Sequence, residues 1–87
     1  MSKSKKVPGK GNIMDEDVLI EKAEAYLKEM YDEDTVSMNV TENTVNEEGN
    51  GILSVECVVS VDGEESAWFK DFHFENEEIV EMSYEER

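Results

Sequence analysis

The chain has 87 residues, of which 38% are apolar and 36% charged, and its twenty-three Asp and Glu against eight Lys and Arg give a net charge of −15. No apolar run approaches the length of a membrane-spanning helix, and a single cysteine excludes an internal disulfide or a multi-cysteine zinc site. The length fits one small domain. Because the chain is so acidic, direct binding to nucleic-acid phosphates is not expected.

The first twelve residues differ from the rest in charge, since they hold four lysines and no acid. So polar a segment buries too little apolar surface to offset the entropy of ordering it, and we predict a disordered basic tail over residues 1–12. The tail lacks the apolar stretch of a secretory signal, so we expect a cytoplasmic protein. Residues 13–87 then form a single acidic domain, in which the remaining four Lys and Arg face all twenty-three acids, a net charge of −19.

An amphipathic helix is predicted from about Ile13 to Tyr31. Its apolar residues recur every three or four positions, which is typical of a stripe that faces a core: Val18, Leu19, Ala23, Tyr26, Leu27 and Met30. The acids before Val18 suit the positive end of the helix dipole, and Asn12 or Asp15 is the expected N-cap. Further acids follow directly after Tyr31, where the negative end of the dipole disfavours them, so the helix should end near Tyr31.

Four strands are predicted after the helix, from alternating or continuous apolar residues separated by polar turns. The strands are expected at 35–41, 52–61, 64–74 and 79–84, with a polar loop at 42–51. The element order is therefore α-β-β-β-β. We expect an α+β fold in which one N-terminal amphipathic helix packs on a four-stranded antiparallel β-meander.

The Asp62-Gly63 pair predicts a two-residue hairpin loop, because such loops require positive φ at both positions. This loop would place Cys57 opposite Trp68 and Leu53 opposite Phe72, with Lys70 on the core face. A three-residue loop is the alternative, and it would instead pair Glu56 with Lys70.

The single thiol and the single imidazole of the chain suggest a catalytic dyad of Cys57 and His73. With the two-residue loop, the two side chains point to opposite faces of the sheet. With the alternative loop they share a face but lie roughly 13 Å apart, beyond hydrogen-bond reach. No nucleophile elbow, phosphate-binding loop or dinucleotide fingerprint occurs in the sequence. We therefore predict a protein that is not an enzyme.

Calcium binding by clustered loop carboxylates is the alternative function that the sequence suggests. In a helix followed by a meander, the helix start, the first hairpin loop and the third turn share one end of the sheet, and calcium favours several oxygen ligands. The candidate ligands are Asn46, Glu48, Asn50, Glu75 and Glu77. The first three of these only partly follow the spacing of an EF-hand loop, because Cys57 stands where that loop requires a bidentate Glu.

The favoured function is a small, acidic, non-catalytic binding or accessory module that acts through protein–protein contact. One helix covers only one face of a four-stranded sheet, so apolar residues on the other face are candidates for contact with an unknown protein partner or a second copy. The predicted partner-facing residues are Ile52, Val58, Phe69 and Ile79. A sheet edge that accepts another strand, mimicry of nucleic acid, and acidity that serves solubility alone are the remaining alternatives.

Overall fold

A computed structural model describes residues 15–87, and the predicted tail, 1–12, lies outside the described residues. The elements are one helix and four strands: α1 (Glu16–Tyr31), β1 (Asp34–Asn43), β2 (Gly51–Val61), β3 (Glu64–Glu75) and β4 (Glu78–Glu86). The strands form one antiparallel sheet in the order β1-β2-β3-β4. The helix packs on one face of this sheet. The predicted α+β fold with the order α-β-β-β-β is confirmed.

Side-chain and backbone caps fix both ends of α1. The Asp15 carboxylate accepts a hydrogen bond from the Asp17 N–H at 2.9 Å, so Asp15 is the N-cap. At the other end Asp32 adopts the left-handed conformation (φ 56°), and the N–H groups of Asp32 and Glu33 donate to the last helical carbonyls. The helix therefore ends at Tyr31, as predicted, and the chain turns directly into β1.

The core lies between α1 and one face of the sheet, here called the inner face. Its buried residues come from the helix, the first loop and the two central strands: Leu19, Ala23, Leu27, Val45, Leu53, Val55, Cys57, Val59, Phe72 and Phe74. The helix stripe is narrower than predicted, because Val18 and Met30 are exposed. In residues 15–87 no helix is long and apolar enough to cross a membrane.

The two central strands pair in a single uninterrupted register. Asp62 and Gly63 form the loop with φ of 54° and 85°, Cys57 lies opposite Trp68, and Leu53 lies opposite Phe72. The two-residue hairpin loop is therefore confirmed and the three-residue alternative is wrong. Bulges interrupt the outer pairings instead, twice between β1 and β2 and once between β3 and β4.

The first hairpin loop and the turn between β3 and β4 are hydrogen-bonded to each other. The Glu77 N–H donates to the Gly49 carbonyl at 3.0 Å, and the Asn76 N–H donates to the Asn50 side-chain oxygen at 2.9 Å. Gly49 has φ of 88°, and a Cβ built on it would lie 2.2 Å from the Glu77 nitrogen. The close approach of the two loops therefore requires glycine at position 49.

Two glycine substitutions with the same backbone strain should have different costs. Gly63 has φ of 85° and open space around it, so Gly63→Ala should lower the free energy of unfolding only by strain, about 1 kcal/mol. Gly49→Ala adds a steric clash with Glu77 and should cost about 2 kcal/mol more. Urea unfolding of both variants measures the difference. If both variants lose the same free energy of unfolding, the first hairpin loop and the turn between β3 and β4 do not pack as described.

Candidate functional site

A buried lysine surrounded by aromatic rings is the most unusual feature of the inner face. Lys70 is 3% exposed, and its Nζ lies 5.1 Å from the ring centroid of Trp68, 5.4 Å from that of Tyr84 and 5.8 Å from that of Tyr31. The rings come from β3, β4 and the last helical residue. Because the faces of aromatic rings carry negative potential, this arrangement stabilises the ammonium group away from water.

Glu33 supplies the counter-charge of Lys70. Its Oε1 lies 3.3 Å from the Lys70 Nζ, without hydrogen-bond alignment, and its side chain is only 14% exposed. The pair is therefore largely buried, and each charge depends on the other. The sequence placed Lys70 on the core face through its register but gave no sign of Glu33, Tyr31 or Tyr84 as its neighbours, because these residues come from other elements.

Cys57 and His73 lie on opposite faces of the sheet, as the two-residue loop predicts. Cys57 is fully buried, and burial raises the pKa of its thiol above the usual value, which keeps it protonated at neutral pH. His73 lies on the other face, opposite Ile52, with its ring nitrogens 3.9 Å from carboxylate oxygens of Glu75 and Glu81. The two side chains therefore form no dyad, and the absence of catalysis stays a prediction.

The face of the sheet opposite α1, here called the outer face, carries apolar residues among acids. None of the elements described for residues 15–87 covers it. Ile52 is 43% exposed, Phe69 is 44% exposed, and Val58 is half-buried opposite Ala67. By register the face also holds many acidic side chains, among them Glu42, Glu56, Glu65, Asp71, Glu81 and Glu85.

Phe69 and Arg87 form a contact on the outer face. The guanidinium carbon of Arg87 lies 5.7 Å from the Phe69 ring centroid, and an Arg87 nitrogen lies 4.0 Å from a carboxylate oxygen of Glu56. Phe69 still exposes almost half of its surface. The outer face thus already binds one basic side chain through an aromatic ring and a neighbouring carboxylate.

Ile79 does not lie on the outer face, and that prediction is corrected. It pairs with the buried Phe74 and packs against the core, whereas Glu81 pairs with His73 on the outer face. Two residues spaced by two normally share a face of a strand. The bulge between these pairs contains the additional residue Val80, which moves Ile79 to the inner face.

The candidate calcium ligands come from three places: Asn46, Glu48 and Asn50 lie in the first loop, Glu75 ends β3, and Glu77 lies in the last turn. The Asn46 side-chain oxygen accepts hydrogen bonds from the N–H groups of Glu48 and Asn50, at 3.0 and 3.1 Å. The Asn50 side-chain oxygen accepts from Asn76. Both amides therefore serve to hold the loop. Within residues 15–87, no group of three or more His, Cys, Asp or Glu side chains is arranged to hold a metal ion.

Calcium binding stays a prediction, and a titration followed by amide chemical shifts tests it. Binding at these loops should give local, saturable shifts at residues 46–50 and 75–77. Sodium chloride at matched ionic strength is the control, because screening alone shifts amides near charged groups throughout the acidic surface. Diffuse changes that sodium chloride reproduces would contradict calcium binding.

A groove of about 290 Å³ separates α1 from the start of β4. Tyr26 and Ile79 provide its apolar part, and Ala25, Lys22, Glu29, Glu77 and Glu78 complete its lining. The Tyr26 ring is held in place by edge-on contact with Phe72, with centroids 6.2 Å apart. The groove thus combines apolar surface with an acidic rim at the edge of the sheet.

The chain was compared with protein-family models, curated proteins and solved structures. No family model, no curated protein and no solved structure matches this chain.

Substitutions in the Lys70–Glu33 pair should lower stability to different extents. Glu33→Gln leaves a buried ammonium without its counter-charge and should lower the free energy of unfolding by about 3 kcal/mol. Lys70→Met keeps the volume of the stem but leaves the Glu33 carboxylate without its counter-charge. Because the Glu33 side chain is 14% exposed and that of Lys70 only 3%, the loss should be smaller, about 2 kcal/mol. Urea unfolding measures both effects.

The double variant Glu33→Gln/Lys70→Met provides the control for this pair. It removes both charges and should recover most of the stability that Glu33→Gln loses. If Glu33→Gln is as stable as the unmodified chain, Lys70 does not depend on Glu33 and the pair is not buried as described.

Proposed function

We propose that this protein is a non-catalytic binding module whose outer sheet face contacts a basic segment of another protein. The single observation that carries the proposal is the exposed Phe69 on a face that no described element covers. Aromatic residues dominate the binding energy of protein–protein interfaces. Val58 and Ala67 lie beside Phe69 by register and extend the apolar surface.

The charge of the outer face supports a basic partner. Acidic side chains surround its apolar residues, and the Arg87 guanidinium group already lies near both the Phe69 ring and Glu56. A partner that brings an apolar anchor with flanking Lys or Arg would match both the apolar surface and the acids. Such complementarity raises association rates and selects against acidic partners.

A second copy of this chain is a poorer occupant than a basic segment. Residues 13–87 carry a net charge of −19, and apposing two outer faces would bring the carboxylates of both faces together. Like charges at an interface are unfavourable. The same repulsion disfavours the phosphates of nucleic acid.

A cytoplasmic location stays a prediction, supported by the one free cysteine, which is buried.

Removing the aromatic ring of Phe69 should weaken binding of a basic, apolar peptide. The probe is a synthetic peptide of mixed lysine and leucine, added to the full chain and followed by amide chemical shifts. Phe69→Ser should lower its affinity about tenfold, which corresponds to roughly 1.4 kcal/mol. Binding should persist at about 150 mM salt, where interactions between distant surface charges are screened.

Two controls separate this contact from general attraction to an acidic surface. Val36→Ser removes an exposed apolar side chain on the edge strand β1 and should leave the affinity unchanged. A lysine–serine peptide of equal charge should lose its binding at the higher salt concentration. Equal losses for Phe69→Ser and Val36→Ser, or light scattering that shows a stable dimer, would contradict the proposal.

A further inference from the structure

The outward edge of β4 is a second feature that suits a partner. In residues 15–87 the sheet order leaves β4 paired only with β3, so its other edge has no neighbouring strand. From Glu81 to Glu86 the pairing with β3 has no register shift, and this half of the strand is regular. The backbone N–H and C=O groups along such an edge can pair with one more strand.

The opposite edge, formed by β1, is less suited to strand addition. Two register shifts interrupt β1, between Thr35 and Ser37 and between Val40 and Glu42. Bulges bend a strand and break the regular spacing of its hydrogen-bonding groups, which protects an edge from additional pairing. Of the two edges, β4 therefore offers the longer regular segment.

The side chains of β4 define what a neighbouring strand should carry. On the outer face, Glu81, Ser83 and Glu85 alternate along the strand, opposite His73, Asp71 and Phe69. On the inner face, Met82 and Tyr84 alternate with them, and the groove that Tyr26 and Ile79 line lies at the start of the strand. Side chains directly across two strands share a face and interact. A matching strand would have basic residues on one face and apolar residues on the other.

The carboxylates on β4 also disfavour pairing of this edge with β4 of a second copy of the chain. Charged residues on an edge strand normally prevent edge-to-edge association, and two β4 strands would bring Glu81 and Glu85 of both copies together. The same carboxylates attract lysine or arginine at matching positions. The edge is thus closed to a second copy and open to a basic strand.

We propose that the free edge of β4 binds an extended segment of a partner protein, in which basic and apolar residues alternate, as a fifth strand of the sheet. This rests on the proposed function as a protein-binding module and names the mode of binding. Main-chain hydrogen bonds supply affinity, Glu81 and Glu85 select the basic residues, and the groove next to Ile79 receives apolar side chains.

Three peptides test the fifth strand with the full chain. One alternates lysine and valine, one has the same composition with its lysines grouped together, and one has the alternating sequence with every backbone amide N-methylated. The alternating peptide should bind about tenfold more tightly than either of the others. It should also slow hydrogen exchange of alternate amides between Glu81 and Glu86, because these amides become hydrogen-bonded.

Charge reversals with a matched control test the selection by β4. Glu81→Lys/Glu85→Lys should lower the affinity for the alternating peptide about tenfold. Glu47→Lys/Glu48→Lys changes the net charge equally, at exposed positions of the first loop, and should leave the affinity nearly unchanged. Equal losses in both variants would overturn the proposal, because overall charge alone would then explain binding.

Binding at another site, or another occupant of the β4 edge, would change the hydrogen-exchange and affinity results in distinct ways. Exchange protection on β1, or protection of β4 in the free chain through contacts with residues 1–12 or a second copy, would overturn the proposal. If all three peptides bind equally and Phe69→Ser weakens them, the outer face binds without a fifth strand and the proposed function stands. If no peptide binds saturably at about 150 mM salt, both proposals fail.

Discussion

The turn at Asp62 and Gly63 determines on which face every side chain of β2 and β3 lies. Both residues have positive φ, so the loop has two residues and the strands pair without interruption from Val61–Glu64 to Gly51–Phe74. A shift by one residue would bring Lys70 opposite Glu56 and turn the buried Phe72 toward solvent. The core, the position of Lys70 and the outer face therefore all follow from this one hairpin.

The position of Lys70 is the most demanding consequence of that register. An ammonium group on the inner face requires compensation. Besides Trp68 on the same strand, two other parts of the chain supply it: the helix end, with Tyr31 and Glu33, and β4, with Tyr84. Burying a charge pair contributes little net stability compared with apolar residues of the same volume. Its contribution here is geometric, because these contacts connect the helix end to β3 and β4.

Local patterns in the sequence were sufficient to predict much of this fold. The apolar stripe of α1, the alternation in β1 and the Asp62-Gly63 pair each depend on a few neighbouring residues. The surroundings of Lys70 were not predictable, because Glu33 and Tyr84 approach it only through tertiary contacts. The face of Ile79 was predicted wrongly for a related reason. The bulge that contains Val80 has no glycine or proline that would indicate it in the sequence.

The acidic side chains of this domain should affect a binding partner mainly at short range, and less through the net charge of the whole domain. At physiological ionic strength charges on the surface are screened over about 8 Å, so a partner senses the carboxylates that it touches more than the total of −19. The guanidinium group of Arg87 lies near both the Phe69 ring and Glu56, so within this chain a cation contacts the surface where an apolar contact accompanies it. Specificity would then depend on the spacing of acids and apolar residues along β3 and β4. That spacing is set by the strand period, so the proposed extended partner would need the same period for its side chains to meet these residues.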